Sequence, residues 1–186
     1  MPLIDEDNNH LDVELMSDVA SVFSSKNGLI IDDVGNQWYL WRVDGLDSWW
    51  RFFEEIIDAP MGRKLANAAC DEEEYLLGNI DLNFNGFFRK KKTKAALEGR
   101  WKLHGWGVPN TSPASFESAG LSPVFSGILQ AQLEKINSTT YRMLWEDKSP
   151  QTTLLTLYPT SIPLTKSNSV LPLQEKGKPL LLALES

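Results

Sequence analysis

Gly120-Leu121-Ser122-Pro123-Val124-Phe125-Ser126-Gly127-Ile128-Leu129-Gln130-Ala131-Gln132-Leu133-Glu134-Lys135-Ile136 is the stretch whose reading decides the fold. Ser122 can cap free amides with its hydroxyl, and Pro123 stands where a missing N–H costs nothing, so a helix starts here. Phe125, Ile128, Leu129, Leu133 and Ile136 then recur at the spacing of a core-facing stripe. Gly127 and Ala131 are four residues apart and share a face, a strip of small residues on which another backbone or a flat ligand can lie. Upstream, Leu103-His104-Gly105-Trp106-Gly107 closes the preceding helix, with Gly105 placed for a left-handed cap. Downstream, Asn137-Ser138 ends the helix. Thr139 to Trp145 and Gln151 to Tyr158 then read as a hairpin about Asp147-Lys148-Ser149-Pro150, with Tyr141, Met143 and Trp145 on one face.

Towards the N-terminus the periodicity predicts a helix over 11–23 stopped by Lys26-Asn27-Gly28. A hairpin follows, with arms Leu29-Ile30-Ile31 and Gln37 to Val43, the second of which could instead begin a helix. After Asp44-Gly45, Asp47 or Ser48 can cap a helix whose Trp49, Phe52, Phe53, Ile56 and Ile57 lie at helical spacing, and we read that aromatic stripe as core. Pro60 opens a third helix, Met61 to Leu77. A fourth, from Phe87 to His104, should turn Phe87, Phe88, Ala95, Leu97 and Trp101 inward. The expected class is α+β, a twisted antiparallel sheet flanked by helices, in a single domain over 1–186. Residues 1–10 form an acidic arm, and 159–186 an extension whose two apolar runs can close an edge hairpin.

A domain of 186 residues buries ~70% of its unfolded surface and needs no staple. Cys70 is the one cysteine, which excludes an internal disulfide and a cysteine-rich metal cluster and suits burial as a small apolar residue. The acidic start lacks the pattern of a signal peptide, and the apolar run Leu180 to Leu184 is far short of the ~20 residues that span a bilayer. These features lead us to expect a cytoplasmic protein without membrane insertion. Seven basic residues (Arg89, Lys90, Lys91, Lys92, Lys94, Arg100, Lys102) and one acid, Glu98, give residues 89–102 a net charge of +6, so the remainder carries −13 of the chain's −7. That remainder would repel a polyanion, which disfavours nucleic acid, and Asp71-Glu72-Glu73-Glu74 offers an internal partner. As a docking face, Arg89, Lys90, Lys91, Lys92 and Lys94 suit an acidic protein partner.

Chemistry is sparse. Gly105-x-Gly107 lacks the third glycine of a dinucleotide loop, since Asn110 stands there, and Ser122 and Ser126 lack the setting of a nucleophile elbow. Two histidines cannot make a three-histidine zinc site. Glu54, Glu55 and the run 71–74 read as solvated surface. We assign no catalytic residue, no metal ligand and no cofactor. His104 beside Trp106 has two readings, a polar anchor against an aromatic wall or a histidine interacting with the free carbonyls of a helix end.

The order of helix, Leu103-His104-Gly105-Trp106-Gly107, extended segment, Gly120 to Glu134 and a hairpin with Trp145 resembles the vinyl-4-reductase domain, a family related in fold to the small subunits of TRAPP trafficking complexes. The resemblance covers roughly residues 60–158. It implies a domain that binds a small hydrophobic molecule, without catalysis, while the small strip at Gly127 and Ala131 and the seven tryptophans, which suit a subunit contact as well as a pocket, lead us to expect a homodimer. The resemblance places the ligand around Trp106, Phe116, Phe125 and Leu129, with His104 beside them. The metal-binding cysteines of some members have no counterpart between Trp145 and Thr153, so no metal site is carried over. The alternative it leaves is a TRAPP-like adaptor using the basic face 89–102.

Overall fold

Helix α5 (Ser122–Asn137) lies at the centre of the molecule, which a computed structural model describes over residues 13–161 apart from 34, 81, 83, 85, 86 and 119. The acidic arm and almost all of the C-terminal extension lie outside the described residues. Ile128, Leu129 and Leu133 of the predicted stripe are buried, while Phe125 and Ile136 are half-buried. Ser122 does not cap the helix. It is already the first helical residue, and Leu121, just outside the helix at φ −57° and ψ 110°, lends its carbonyl to the amides of Val124 and Phe125 at 3.0 and 3.3 Å.

The small strip does bring a second backbone close. Helix α3 (Gly62–Leu76) packs against α5 more extensively than any other pair of elements, and a Cβ at Gly127 would stand 2.1 Å from the Ala66 carbonyl oxygen. On the other side of α5, Ile128, Leu129 and Leu133 pack with Leu97 and Trp101 of α4 (Arg89–His104), Phe116, Met143 and Leu155. Ala131 joins Cys70, Leu77 and Leu82 in a second cluster, which accounts for Cys70 as a buried thiol.

The fold is α+β with antiparallel sheets, and there are two of them rather than one. The larger has the order β4-β5-β7-β6, built from β4 (Val108–Thr111), β5 (Ala114–Glu117), β6 (Tyr141–Asp147) and β7 (Thr152–Pro159). The segment expected to run extended from Val108 therefore folds back on itself. The β6–β7 hairpin matches its prediction, with Met143 buried and Tyr141 and Trp145 half-buried on one face.

The smaller sheet consists of β1 (Phe23–Lys26), β2 (Leu29–Asp32) and β3 (Gln37–Trp38). Lys26-Asn27-Gly28, read as a helix stop, is instead a hairpin turn. Asn27 and Gly28 hold φ of 53° and 79°, the pair of positive values that a tight two-residue turn between twisted strands requires. Helix α1 (Val13–Val22) accordingly ends just before Phe23.

Two further corrections concern helices. Helix α2 (Val43–Ile57) starts before Asp47 and Ser48, which cap nothing, and it contains no buried residue. In α4 the inward side chains are Thr93, Leu97 and Trp101, a narrow stripe at steps of four, whereas Phe87, Phe88 and Ala95 face outward. The helix begins only at Arg89, so the two phenylalanines precede its regular turns.

One polar network runs through the core. The Glu73 carboxylate, 2% exposed, accepts Arg100 Nε at 2.8 Å and Arg100 Nη2 at 2.7 Å, and Gln132 Nε2 donates to it at 2.6 Å. Gln132 Oε1 in turn accepts the Trp101 indole N–H at 2.7 Å. A buried charge is tolerated only when paired and fully hydrogen-bonded, as here. A second set of bonds caps β6, the outer strand of its sheet. Glu134 Oε1 accepts the Tyr141 amide at 2.7 Å, Gln130 Nε2 donates to the Tyr141 carbonyl at 2.9 Å, and Arg63 Nη1 donates to the Met143 carbonyl at 2.7 Å.

Candidate functional site

His104 is the last residue of α4, and Gly105 follows in the expected left-handed cap at φ 66°. That cap swings Trp106 back over the helix end. Phe116 of β5 and Leu129 of α5 belong to one core cluster, against which Trp106 and Phe125 pack. Between them lies the indole of Trp101, with ring centroids 6.1 Å from Trp106, 5.6 Å from Phe116 and 5.9 Å from Phe125. Phe116 and Leu129 are buried in this packing, while Phe125, Trp106 and His104 keep part of their surface exposed.

The His104 ring stacks on Trp106 at 4.4 Å and meets Trp38 at 5.4 Å and the edge of Phe23 at 6.1 Å, so these rings seat the smaller sheet on the end of α4. Trp38 is itself fixed by its indole N–H, which donates to Asp32 Oδ2 at 2.9 Å. Nδ1 of His104 lies 2.8 Å from the Arg100 carbonyl, which holds the hydrogen on Nδ1 and makes Nε2 the acceptor of the neutral ring. Burial pushes the imidazole pKa below its ordinary 6.5, and the Arg100 charge adds to that push against the opposing hydrogen bond to the Arg100 carbonyl.

As pH falls through 6.5 the unfolded chain takes up its proton first. Stability present above that pH is therefore lost between 6.5 and the lower folded-state value, and is constant below it. Melting temperatures of wild type and His104→Gln, compared from pH 7.5 down to about 5, should show this loss in the wild type alone.

The basic stretch forms the exposed start of α4. Arg89, Lys90, Lys91 and Lys92 face solvent, and Lys94 pairs along the helix with Glu98 at 3.5 Å. Arg100 is taken inward by Glu73, the acid of the run 71–74 that acts as internal partner. Phe87, 97% exposed, and Phe88 stand immediately before the basic residues with their rings edge to face at 5.3 Å.

The largest departure from expectation is α2. Its aromatic stripe is a surface: Trp49 is 49%, Phe52 53% and Ile56 83% exposed. Ring contacts link Tyr39, Trp41, Trp49, Phe53 and Trp50 in one chain, at 6.1, 5.8, 6.0 and 5.3 Å, so the apolar surface is continuous from the preceding segment onto the helix. Around it the residues from Asp44 to Asp58 carry five carboxylates against the single guanidinium of Arg51. The helical spacing announced an apolar face correctly, but not that none of the described residues would bury it.

No helix among the described residues is long and apolar enough to cross a membrane, and no three metal-ligating side chains gather there. Compared with family models, with curated proteins and with solved structures, the chain finds no match.

Proposed function

We propose that this chain is a protein-interaction module that works as a homodimer, joined by the aromatic face of α2 on one protomer and the basic start of α4 on its partner. The observation that carries the reading is a 15-residue helix with no buried residue, continuous with a row of rings in which Tyr39, Trp41 and Trp49 are exposed. Monomeric proteins seldom present apolar patches beyond a few hundred Å². Rings of ~150–250 Å² each, about half exposed, together with Leu40 and Ile56, offer on the order of 800 Å², the area each partner of a standard interface contributes. Charge selects the partner. The rim of α2 is acidic, the start of α4 is basic and is preceded by the exposed Phe87 and Phe88, and the same two surfaces on two copies satisfy each other reciprocally about a two-fold axis.

Light scattering on the purified protein at roughly 10–100 µM tests this. The expected result is a dimer at low ionic strength that weakens with salt. It should become a monomer in Phe52→Glu, and in the double variant Lys90→Glu/Lys91→Glu, with unchanged circular dichroism. A wild-type monomer across that range, or a dimer indifferent to both variants, would end the proposal.

The half-exposed His104, stacked on Trp106 with Nε2 as acceptor, favours a second reading in line with the vinyl-4-reductase resemblance: a small hydrophobic molecule carrying a hydrogen-bond donor binds there. Mass added in a native spectrum and lost on denaturation would support it, and a clean native mass would remove it.

A further inference from the structure

Where α3, α5 and β6 meet, a pocket of about 230 Å³ is lined by Arg63, Asn67, Gln130, Arg142 and the backbone of the strand through Leu144. Its polar groups come from three elements and more than 70 residues of sequence, and none of its lining residues is a carboxylate. Arg63 and Arg142 both line this small concavity in a chain of net charge −7, and among the described residues neither is in an ion pair.

Arg63 is held in place. One Nη1–H donates to the Met143 carbonyl at 2.7 Å, and the guanidinium lies 4.5 Å from the centre of the Trp145 ring. That leaves the rest of its fork of donors already oriented, the condition under which arginine recognises a flat or tetrahedral oxyanion. Gln130 spends its Nε2 hydrogens on Glu134 Oε1 and the Tyr141 carbonyl, both at 2.9 Å, so what it has left to offer is the acceptor Oε1. Glu134, the nearest carboxylate of that network, is buried and engaged by Gln130 and the Tyr141 amide. Asn67, exposed one helical turn beyond Arg63, adds one donor and one acceptor.

We infer that this pocket binds a small organic oxyanion, a carboxylate or phosphate paired by Arg63 and Arg142, that also carries a hydroxyl or amino donor for Gln130 or Asn67. The volume, below the ~300 Å³ at which pockets for drug-sized ligands begin, limits the ligand to a small metabolite. The site is separate from the α2 face and does not rest on the dimer proposal.

Isothermal titration at fixed ionic strength with lactate, with glycerol 3-phosphate and with glycerol tests it on the full chain. At least one of the two anions should bind with Kd at or below about 1 mM while glycerol does not, and the one that binds identifies the group as carboxylate or phosphate. Arg142→Gln, a change at an exposed strand position, should weaken that binding about tenfold with an unchanged melting temperature. Failure of both anions at about 10 mM, or an Arg142→Gln affinity within about threefold of wild type, would overturn the inference.

Discussion

Gly127→Ala lowers the melting temperature by roughly 5–15 °C, and Gly99→Ala raises it slightly: this pair of results is what the helix packing demands. Both glycines are helical, and each alanine brings the same intrinsic gain of about 1 kcal/mol. At Gly99 nothing lies within 4 Å of the added carbon, so the gain stands. At Gly127 the added carbon meets the Ala66 carbonyl oxygen at 2.1 Å and the Cys70 amide nitrogen at 2.9 Å. These are backbone atoms of α3 and have no rotamer by which to withdraw. The two helices must separate, loosening both core clusters, at a cost of about 3 kcal/mol or more. The clash wins over propensity by a clear margin. Thermal unfolding of the two variants side by side measures it, and equal stabilities would mean that α3 and α5 do not approach through Gly127.

Removing the Glu73 carboxylate is the second large effect. Glu73→Ala leaves Arg100 buried without its counter-charge and Gln132 Nε2 without its acceptor, and should cost about 3–5 kcal/mol in urea unfolding. The remedy is to remove the other charge too. In Glu73→Leu/Arg100→Met most of that loss should return, because the desolvation cost of both ions disappears with the pair. A double variant as unstable as the single one would show that the network matters for its shape rather than its charge. Either variant also tests Trp106, since the Arg100 guanidinium lies 5.2 Å from its ring and helps hold it over the helix end.

The contrast between these two positions shows what the chain made legible. Gly127 could be read in advance, because a small residue beside an apolar helical stripe has a local signature, and α5, the β6–β7 hairpin and the Gly105 cap were readable for the same reason. Glu73 was only half readable. The acidic run suggested an internal partner for the basic cluster, but which acid turns inward depends on the phase of α3, and which base answers depends on the phase of α4. The first strand, Phe23-Ser24-Ser25-Lys26, has no alternation to betray it and emerges only because Asn27 and Gly28 can turn. Periodicity located the apolar side of α2 from Trp49 to Ile57, yet coverage by another element is a tertiary fact with no local trace. Arg63 and Arg142 line one pocket from a helix and a strand, a juxtaposition that no spacing encodes.

The bonds that cap β6 have a consequence for how copies of this chain can assemble. An outermost strand normally offers a row of amides and carbonyls to any passing segment, and sheet proteins that leave it open tend to grow into one another. On β6 that row is interrupted. The Tyr141 amide and carbonyl and the Met143 carbonyl are engaged by Glu134, Gln130 and Arg63, all side chains anchored in helices. A neighbour that sought to extend the sheet here would first have to break three hydrogen bonds and dislodge the guanidinium from Trp145. The first half of this edge is thereby obstructed to sheet extension, which favours association through helical faces.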